Sequence, residues 1–308
     1  MAQTIFVVGS SSGIGLEIVR LFFSKGWNVV ATSRSPEASK DLKEIQSQDA
    51  QRLHLVTLEL TKPETFAPAI DTAIKTYGSI DVFVNNAGVN ILGNFELLSQ
   101  DKLRRQFEVN FFGPAHLTRL AIPFLRSSAK KSGTKSLVIT IGSGSGHFGI
   151  PLFSYYTASK FAFEGLTEAL HHELSSHNII FKNVVPLGGI KGTKLGENSF
   201  PEAEPLLVAV LTGQSRDLGC EEPGKRALLE HYQAYDGKTM AKTMTLSDQA
   251  EGAKSAADVA QVVFEAAEDG TGKFRYFVGQ EISPFFKAKF GDSSDDEGYM
   301  KMTREFFA

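Results

Sequence analysis

The sequence predicts a doubly wound α/β fold, a parallel sheet of about seven strands with helices on both faces. Three observations carry that expectation. Short β-branched apolar runs alternate with longer segments of helical periodicity. Most of the runs do not alternate apolar with polar residues, the pattern of strands covered on both faces. A glycine-rich turn follows the first run directly, the context in which such a turn can cradle phosphate.

Strands are expected at residues 5–8, 29–32, 53–58, 80–84, 136–141, 179–185 (ending at Pro186) and 274–278. Helical periodicity is expected around 15–22, 63–77, 99–127, 154–176 and 255–268. Residues 191–253 break the alternation: they show no strand pattern and are rich in Gly, Glu, Pro and Lys around an apolar patch at 206–211. An insertion of that length predicts a lid over a substrate, with a partner-docking element as the alternative. Residues 281–308 form an acidic and then aromatic tail. The chain, 1–308, is expected to be one catalytic domain, since α/β folds of this size commonly form a single unit.

With 42% hydrophobic and 22% charged residues, the composition is that of a soluble globular protein. The formal charge of −3 and the lack of a basic stripe argue against nucleic acid as a partner. Cys220 is the single cysteine, so no intrachain disulfide and no cysteine-based zinc site can form. No HExxH pattern accompanies the seven histidines, and no metal is expected. The first residues lack a signal-peptide pattern, and no apolar run approaches the ~20 residues of a membrane span. A cytoplasmic protein with no membrane association is therefore expected.

The turn reads Gly9-Ser10-Ser11-Ser12-Gly13-Ile14-Gly15. Glycines permit a tight turn and close backbone approach, and the following helix aims free N–H groups at an anion. Gly9, Ser11, Ser12, Gly13, Ile14 and Gly15 are thus candidate phosphate contacts of a dinucleotide. The second strand ends in Thr32-Ser33-Arg34-Ser35, without an acid. A carboxylate there would bind a ribose 2′-hydroxyl, whereas Arg34 beside Ser33 suits a 2′-phosphate, so NADP(H) is expected over NAD(H).

A tyrosine and a lysine four residues apart occur in Ser154-Tyr155-Tyr156-Thr157-Ala158-Ser159-Lys160. That spacing puts both side chains on one helix face. A neighbouring ammonium favours the phenolate and is expected to lower the phenol pKa from about 10 toward working pH. Such a phenol can exchange a proton with a carbonyl oxygen.

Taken in order, these motifs resemble those of the short-chain dehydrogenases/reductases, over nearly the whole length to about residue 280. Gly9, Gly13 and Gly15 match the nucleotide fingerprint, with Val8 where the family usually has threonine. Asn85-Asn86-Ala87-Gly88 copies the N-N-A-G motif, Asn110 falls at the helix asparagine, and Ser143 lies thirteen residues before Tyr156. Tyr156 to Lys160 matches Y-x-A-S-K, which selects Tyr156 over Tyr155.

The resemblance implies a Rossmann fold and hydride transfer between a nicotinamide and a carbonyl or secondary alcohol. In that scheme Tyr156 is the acid/base and Ser143 steadies the carbonyl oxygen. Lys160 holds the ribose and depresses the phenol pKa, and Asn110 positions a water for proton resupply. It further implies that Glu59 and Leu60 meet the adenine, that Asn86, Ala87 and Gly88 line the nucleotide, and that Ile190 and Thr193 meet the nicotinamide. The stretch from Pro186 to Thr193 departs from the family spacing by one residue. Residues 144–153 would line a pocket for an apolar or aromatic substrate, with His147 as a pocket or surface residue. A homodimer or homotetramer is implied through the helices at 99–127 and 154–176, with Phe111, Phe112, Phe161 and Phe163 at the interface or in the core. The alternative is a catalytically silent nucleotide-binding sensor or scaffold, a class that usually lacks the Tyr/Lys pair. Epimerisation or dehydration of a nucleotide-sugar fits the glycine spacing and the length less well.

Overall fold

A computed structural model describes residues 2–193 and 254–279, together with Lys238, Lys289, Met300, Lys301 and Glu305. The expected lid beyond Thr193 and the tail at 281–308 otherwise lie outside the described residues.

Seven parallel strands form one sheet: β1 (Thr4–Val8), β2 (Asn28–Ser33), β3 (Leu53–Thr57), β4 (Val82–Asn85), β5 (Ser136–Ile141), β6 (Ile179–Pro186) and β7 (Arg275–Val278). Their spatial order is β3-β2-β1-β4-β5-β6-β7. The order reverses between β1 and β4, where Val8 pairs with Asn85. Ligands bind such sheets at the carboxyl ends of the strands near that reversal. All five residues of β1 are buried, which accounts for its unbroken apolar character. Its odd and even positions feed two different cores.

One face carries α1 (Gly13–Ser24), α2 (Lys40–Gln48) and α7 (Ala256–Glu268). There Ile5, Val7, Val29, Val84 and Ile139 pack against Ile18, Phe22, Val259 and Val263. The other face carries α3 (Phe66–Tyr77), α5 (Gly113–Ser132) and α6 (Ser154–Leu174), with Phe6, Phe83, Val138 and Phe181 against Phe66, Ile70, Leu117 and Leu125. Between α4 (Gln100–Phe107) and α5 the helix passes through a π-helical turn, Glu108–Phe112, so the long helix expected at 99–127 is interrupted. Among the described residues no helix is long and apolar enough to cross a membrane.

A buried lysine locks α7 onto the sheet. Lys182 of β6 is 1% exposed, and its Nζ donates to Ala266 O at 2.7 Å, Asp269 Oδ1 at 2.5 Å and Tyr276 Oη at 3.0 Å. Tyr276 also donates to the second Asp269 oxygen. Burial pushes the Asp269 carboxyl up, but the hydrogen bonds from Lys182 and Tyr276 outweigh it and hold the group at about 2. Removing one partner of a buried ion pair strands the other charge. Asp269→Ala should therefore lower the unfolding free energy by about 3 kcal/mol at neutral pH. A carboxyl whose folded pKa is depressed stabilises the fold above its ordinary value of 3.8 and loses that effect as pH falls through about 2. The gap between wild type and variant in urea denaturation should close over that window. A gap that stays constant down to pH ~2 would refute the assignment.

Candidate active site

The turn after β1 is shaped by two left-handed glycines, Gly9 at φ +80° and Gly13 at φ +57°. Gly9 N and Ser10 N both donate to Thr32 O, at 3.0 and 2.9 Å, which fastens the turn to β2. A side chain at Gly9 would bring its Cβ within 2.6 Å of Ala87 Cβ, and one at Gly15 would lie 2.1 Å from Gly9 O. Asn86 Nδ2 donates to Gly9 O at 2.6 Å, so its amide closes the turn from the β4 side. Ser12 precedes α1 without a side-chain capping bond, leaving the first-turn N–H groups of α1 to an anion. At the end of β2, Ser33 Oγ is buried with no hydrogen-bond partner among the described residues. A glycine cradle without room for a Cβ, an uncapped helix start and an orphaned hydroxyl together fit a dinucleotide.

Arg34 is exposed just past β2, and its charge acts on Glu59 beyond β3. Glu59 is already engaged: Lys62 Nζ lies 2.8 Å from Oε2, and Thr61 Oγ1 donates to Oε1 at 3.0 Å. The Lys62 and Thr61 hydrogen bonds hold its carboxyl below the usual range. Lys62, which also feels the Glu64 carboxylate, is taken up by Glu59, so Arg34 is the cation exposed at the end of β2. Leu60, expected beside adenine, is buried in the core, with its carbonyl 2.5 Å from where a Cβ on Gly113 would sit. Ile190 likewise packs into the core on the α1/α7 face. Thr193 donates to Ile190 O at 3.0 Å, and its Cα would lie 3.5 Å from a Cβ on Gly13. The segment after β6 thus crosses the mouth of the glycine turn. It is pinned there by bonds between Lys191 and both Lys254 and Ala256.

The remaining predicted residues converge past β4 and β5. Tyr156 and Lys160, 7% and 9% exposed, share one face of α6, with Lys160 Nζ 5.8 Å from the Tyr156 ring centre. Ser143, at the start of the turn Gly144–Gly146, hydrogen-bonds the Tyr156 hydroxyl and accepts from Ser145 N. Asn110 sits in the π-turn. Its Nδ2 donates to Val89 O at 2.9 Å and Ser159 Oγ at 3.1 Å, while Oδ1 accepts from Val89 N at 2.9 Å. A Cβ on Gly88 would lie 3.5 Å from Asn110 Oδ1 and 3.9 Å from Lys160 Nζ, so these three residues meet.

One sequence expectation changes here. The phenol is not lowered: burial pushes the Tyr156 pKa up, and the Ser143 hydrogen bond opposes that only in part. Lys160 aims its Nζ at Ile141 O, 3.0 Å away, and burial brings it down to about 8. The Asn110 amide, bonded to Val89 and Ser159, also braces the loop after β4 against α6. Tyr155 turns away, its hydroxyl donating to Leu98 O at 3.4 Å.

A family model described as short chain dehydrogenase matches residues 3–204. The chain belongs to this family. It is 32% identical over 203 residues to an uncharacterized oxidoreductase of Schizosaccharomyces pombe, a match covering 66% of this chain and 65% of that relative. The chain thus spans just under two-thirds of that relative's length. It is 30% identical over 215 residues to a 3-ketodihydrosphingosine reductase of Bacteroides thetaiotaomicron, covering 70% of this chain and 71% of the relative. A crystal structure of a short-chain dehydrogenase from Streptomyces avermitilis superposes with a TM-score of 0.74 at 26% identity, covering 99% of this chain and 98% of that one.

Within this short-chain dehydrogenase, Gln106 was not foreseen. It is fully buried one turn before Asn110, donates to Val89 O at 2.6 Å and accepts from Ile91 N at 2.8 Å. Its only sequence signal is a neutral amide at i−4 from Asn110. For the cradle, Gly15→Ala should force Gly9 and Asn86 apart, costing about 1–3 kcal/mol and at least tenfold in dinucleotide affinity, about 1.4 kcal/mol. Thermal melts and fluorescence titration with NADPH would show both losses, and wild-type binding by the variant would contradict this geometry.

Proposed function

We propose that this oxidoreductase is an NADP(H)-dependent carbonyl reductase that runs in reverse as a secondary-alcohol dehydrogenase. The observation that carries the reading is the buried cluster of Ser143, Tyr156, Lys160 and Asn110 beside a glycine cradle fitted to a dinucleotide. A bound nicotinamide nucleotide would supply or accept the hydride. The rest falls to the chain. The Tyr156 hydroxyl, held by Ser143, gives its proton to the substrate oxygen, and the Ser143 hydroxyl donates to that oxygen as charge develops. Because burial leaves Tyr156 protonated, it is ready as an acid. Lys160 carries the cation that stabilises the phenolate left behind. The brace from Asn110 to Ser159, whose Oγ donates to Tyr156 O at 2.7 Å, fixes this turn of α6.

The apolar surroundings support an apolar or aromatic substrate. Phe153 stands edge-on to Tyr156 at 6.4 Å, and Phe148 and Leu152 are buried close by. Leu152 holds a left-handed φ of 66°, a costly conformation for a branched residue that recurs where a loop shapes a site. The similarity to a relative named as a reductase of a 3-keto compound supports a ketone. Exposed Arg34 just past β2, with Ser33 beside it and no acid in that turn, supports NADP(H). Exposed Phe112 and Phe161, at 55% and 37%, support a homo-oligomer through the π-turn before α5 and through α6, while buried Phe163 is core.

With NADPH and a panel of aliphatic and aromatic ketones, Tyr156→Phe should lower kcat by at least about 100-fold, with NADPH affinity within a few-fold of wild type. Retained turnover would remove Tyr156 as the acid. Arg34→Asp should reverse the preference toward NADH in kcat/KM, by about tenfold or more; an unchanged ratio would sink the 2′-phosphate reading.

A further inference from the structure

Glu164 is absent from every motif above, yet it is 8% exposed and stands one helical turn beyond Lys160 on α6. An i, i+4 pair shares a helix face, and the Glu164 carboxylate is near enough for its charge to act on Lys160. Arg275 of β7 reaches it across the sheet edge, with Nε 2.7 Å from Glu164 Oε1. The same guanidinium places Nη2 2.8 Å from Glu168 Oε2, a carboxylate nearer the surface. Arg275 therefore has a cheaper partner than Glu164, because an exposed ion pair escapes most of the desolvation cost. A buried carboxylate beside it calls for another reason.

We propose that Glu164, held by Arg275, is a positioning residue for the Tyr156/Lys160 pair: it supplies the negative charge that keeps the buried Lys160 ammonium protonated through the working pH range. This rests on the reading of that pair as the catalytic acid and its cation. Lys160 gives its hydrogen bond to a neutral carbonyl, Ile141 O, so compensation for its buried charge comes from a distance. The groups around it come from several elements. Tyr156, Glu164 and Glu168 project from α6, Ser143 and His147 come from the turn after β5, Asn110 from the π-turn and Arg275 from β7. Lys289 stands 4.9 Å over the Phe161 ring. His147 Nε2 is 3.9 Å from Glu164 Oε1, and burial, with Arg275 and Lys289, brings His147 down to about 4, so it is neutral at working pH. Burial pushes Glu164 up and Arg275 holds it back. For Lys160, burial lowers the pKa and Glu164 opposes the loss. Removing that charge must move the Lys160 midpoint further down.

The sign is testable without turnover. Competitive acylation of the full-length protein across pH, with the Lys160 peptide followed by mass spectrometry, gives the midpoint of Lys160 directly. Gln at 164 keeps the shape and the bond to Arg275 but loses the charge; Asp keeps the charge and loses the shape. Glu164→Gln should lower the midpoint enough to cut the ratio of charged to neutral Lys160 about threefold or more at a given pH, while Glu164→Asp stays near wild type. The alkaline limb of kcat/KM for ketone reduction should move the same way. An unmoved midpoint in Glu164→Gln, or an equal shift in Glu164→Asp, overturns the proposal in favour of a structural ion pair. If Glu164→Gln does not fold, the charge-free Glu164→Met decides: a lowered midpoint supports the charge role, and an unmoved one overturns it. A labelling shift in a protein that reduces no ketone leaves the coupling standing and defeats the catalytic reading instead.

Discussion

Everything at the site hangs on how the loop after β4 is held. A loop over the carboxyl ends of a parallel sheet has backbone groups that no strand pairs, and buried ones are costly unless satisfied. Two amide side chains, Gln106 and Asn110, supply the partners, and two more at the start of the loop tie it to α5 and the glycine turn. Asn85 Nδ2 donates to Thr118 Oγ1, and Asn86 reaches Gly9 O. Gln106 and Asn110 each take Val89 O as acceptor, and between them they receive the N–H groups of Val89 and Ile91. Asn110 and Gln106 come from one helix, so the loop is clamped as a unit. Through Ser159 the same clamp reaches α6. The glycine cradle and the Tyr156 turn are thereby referenced to a single short stretch of chain, as two groups that must meet one ligand require.

The buried setting changes what a tyrosine and a lysine can do for each other. In water a neighbouring ammonium would favour the phenolate. In a dry pocket, loss of hydration disfavours both charged forms, and the phenol rises while the ammonium falls. That pairing suits reduction, which needs a protonated phenol. The protein gains a second handle as well, since burial brings Lys160 down to about 8 and a charge one turn away opposes that shift. A side chain four residues along the helix can thus influence the chemistry without touching substrate.

The sheet was legible because burial on both faces imposes a simple rule, unbroken apolar runs rich in β-branched residues, and residues 5–8 follow it. Helices read well where an apolar stripe was wide. The short α2 escaped because only Leu42 and Ile45 of Lys40–Gln48 are buried, too few to set a period. The π-turn was invisible, since one extra residue per turn is a property of the backbone ladder and Glu108–Phe112 carries no composition that demands it. Site residues in fixed-spacing motifs were legible as a set, but their partners were not. Nothing local in the sequence says that Asn110 bonds Val89, that Leu60 and Ile190 face the core, or that Arg275 reaches Glu164 across 111 positions. Such pairings are decided by topology.

The contrast between the two buried lysines shows how the fold separates structure from chemistry. Lys182 is enclosed by a carboxylate, a carbonyl and a phenol hydroxyl, one acceptor for each of its three protons. Nothing remains for a ligand, and the bonds join β6, α7 and β7. Lys160, nearly as buried, has one bond to a neutral carbonyl and faces Gly88 and Asn110 at the mouth of the strands. Among the described residues, two of its donors are therefore open to whatever enters between them. Leaving donors open in a buried site costs stability, and here the cost is limited by a charge set back along the helix. A carboxylate placed directly on Lys160 would have stabilised the fold more, but it would have occupied the donors. Holding Glu164 one turn away, with Arg275 on its far side, keeps the cation charged while the site stays open.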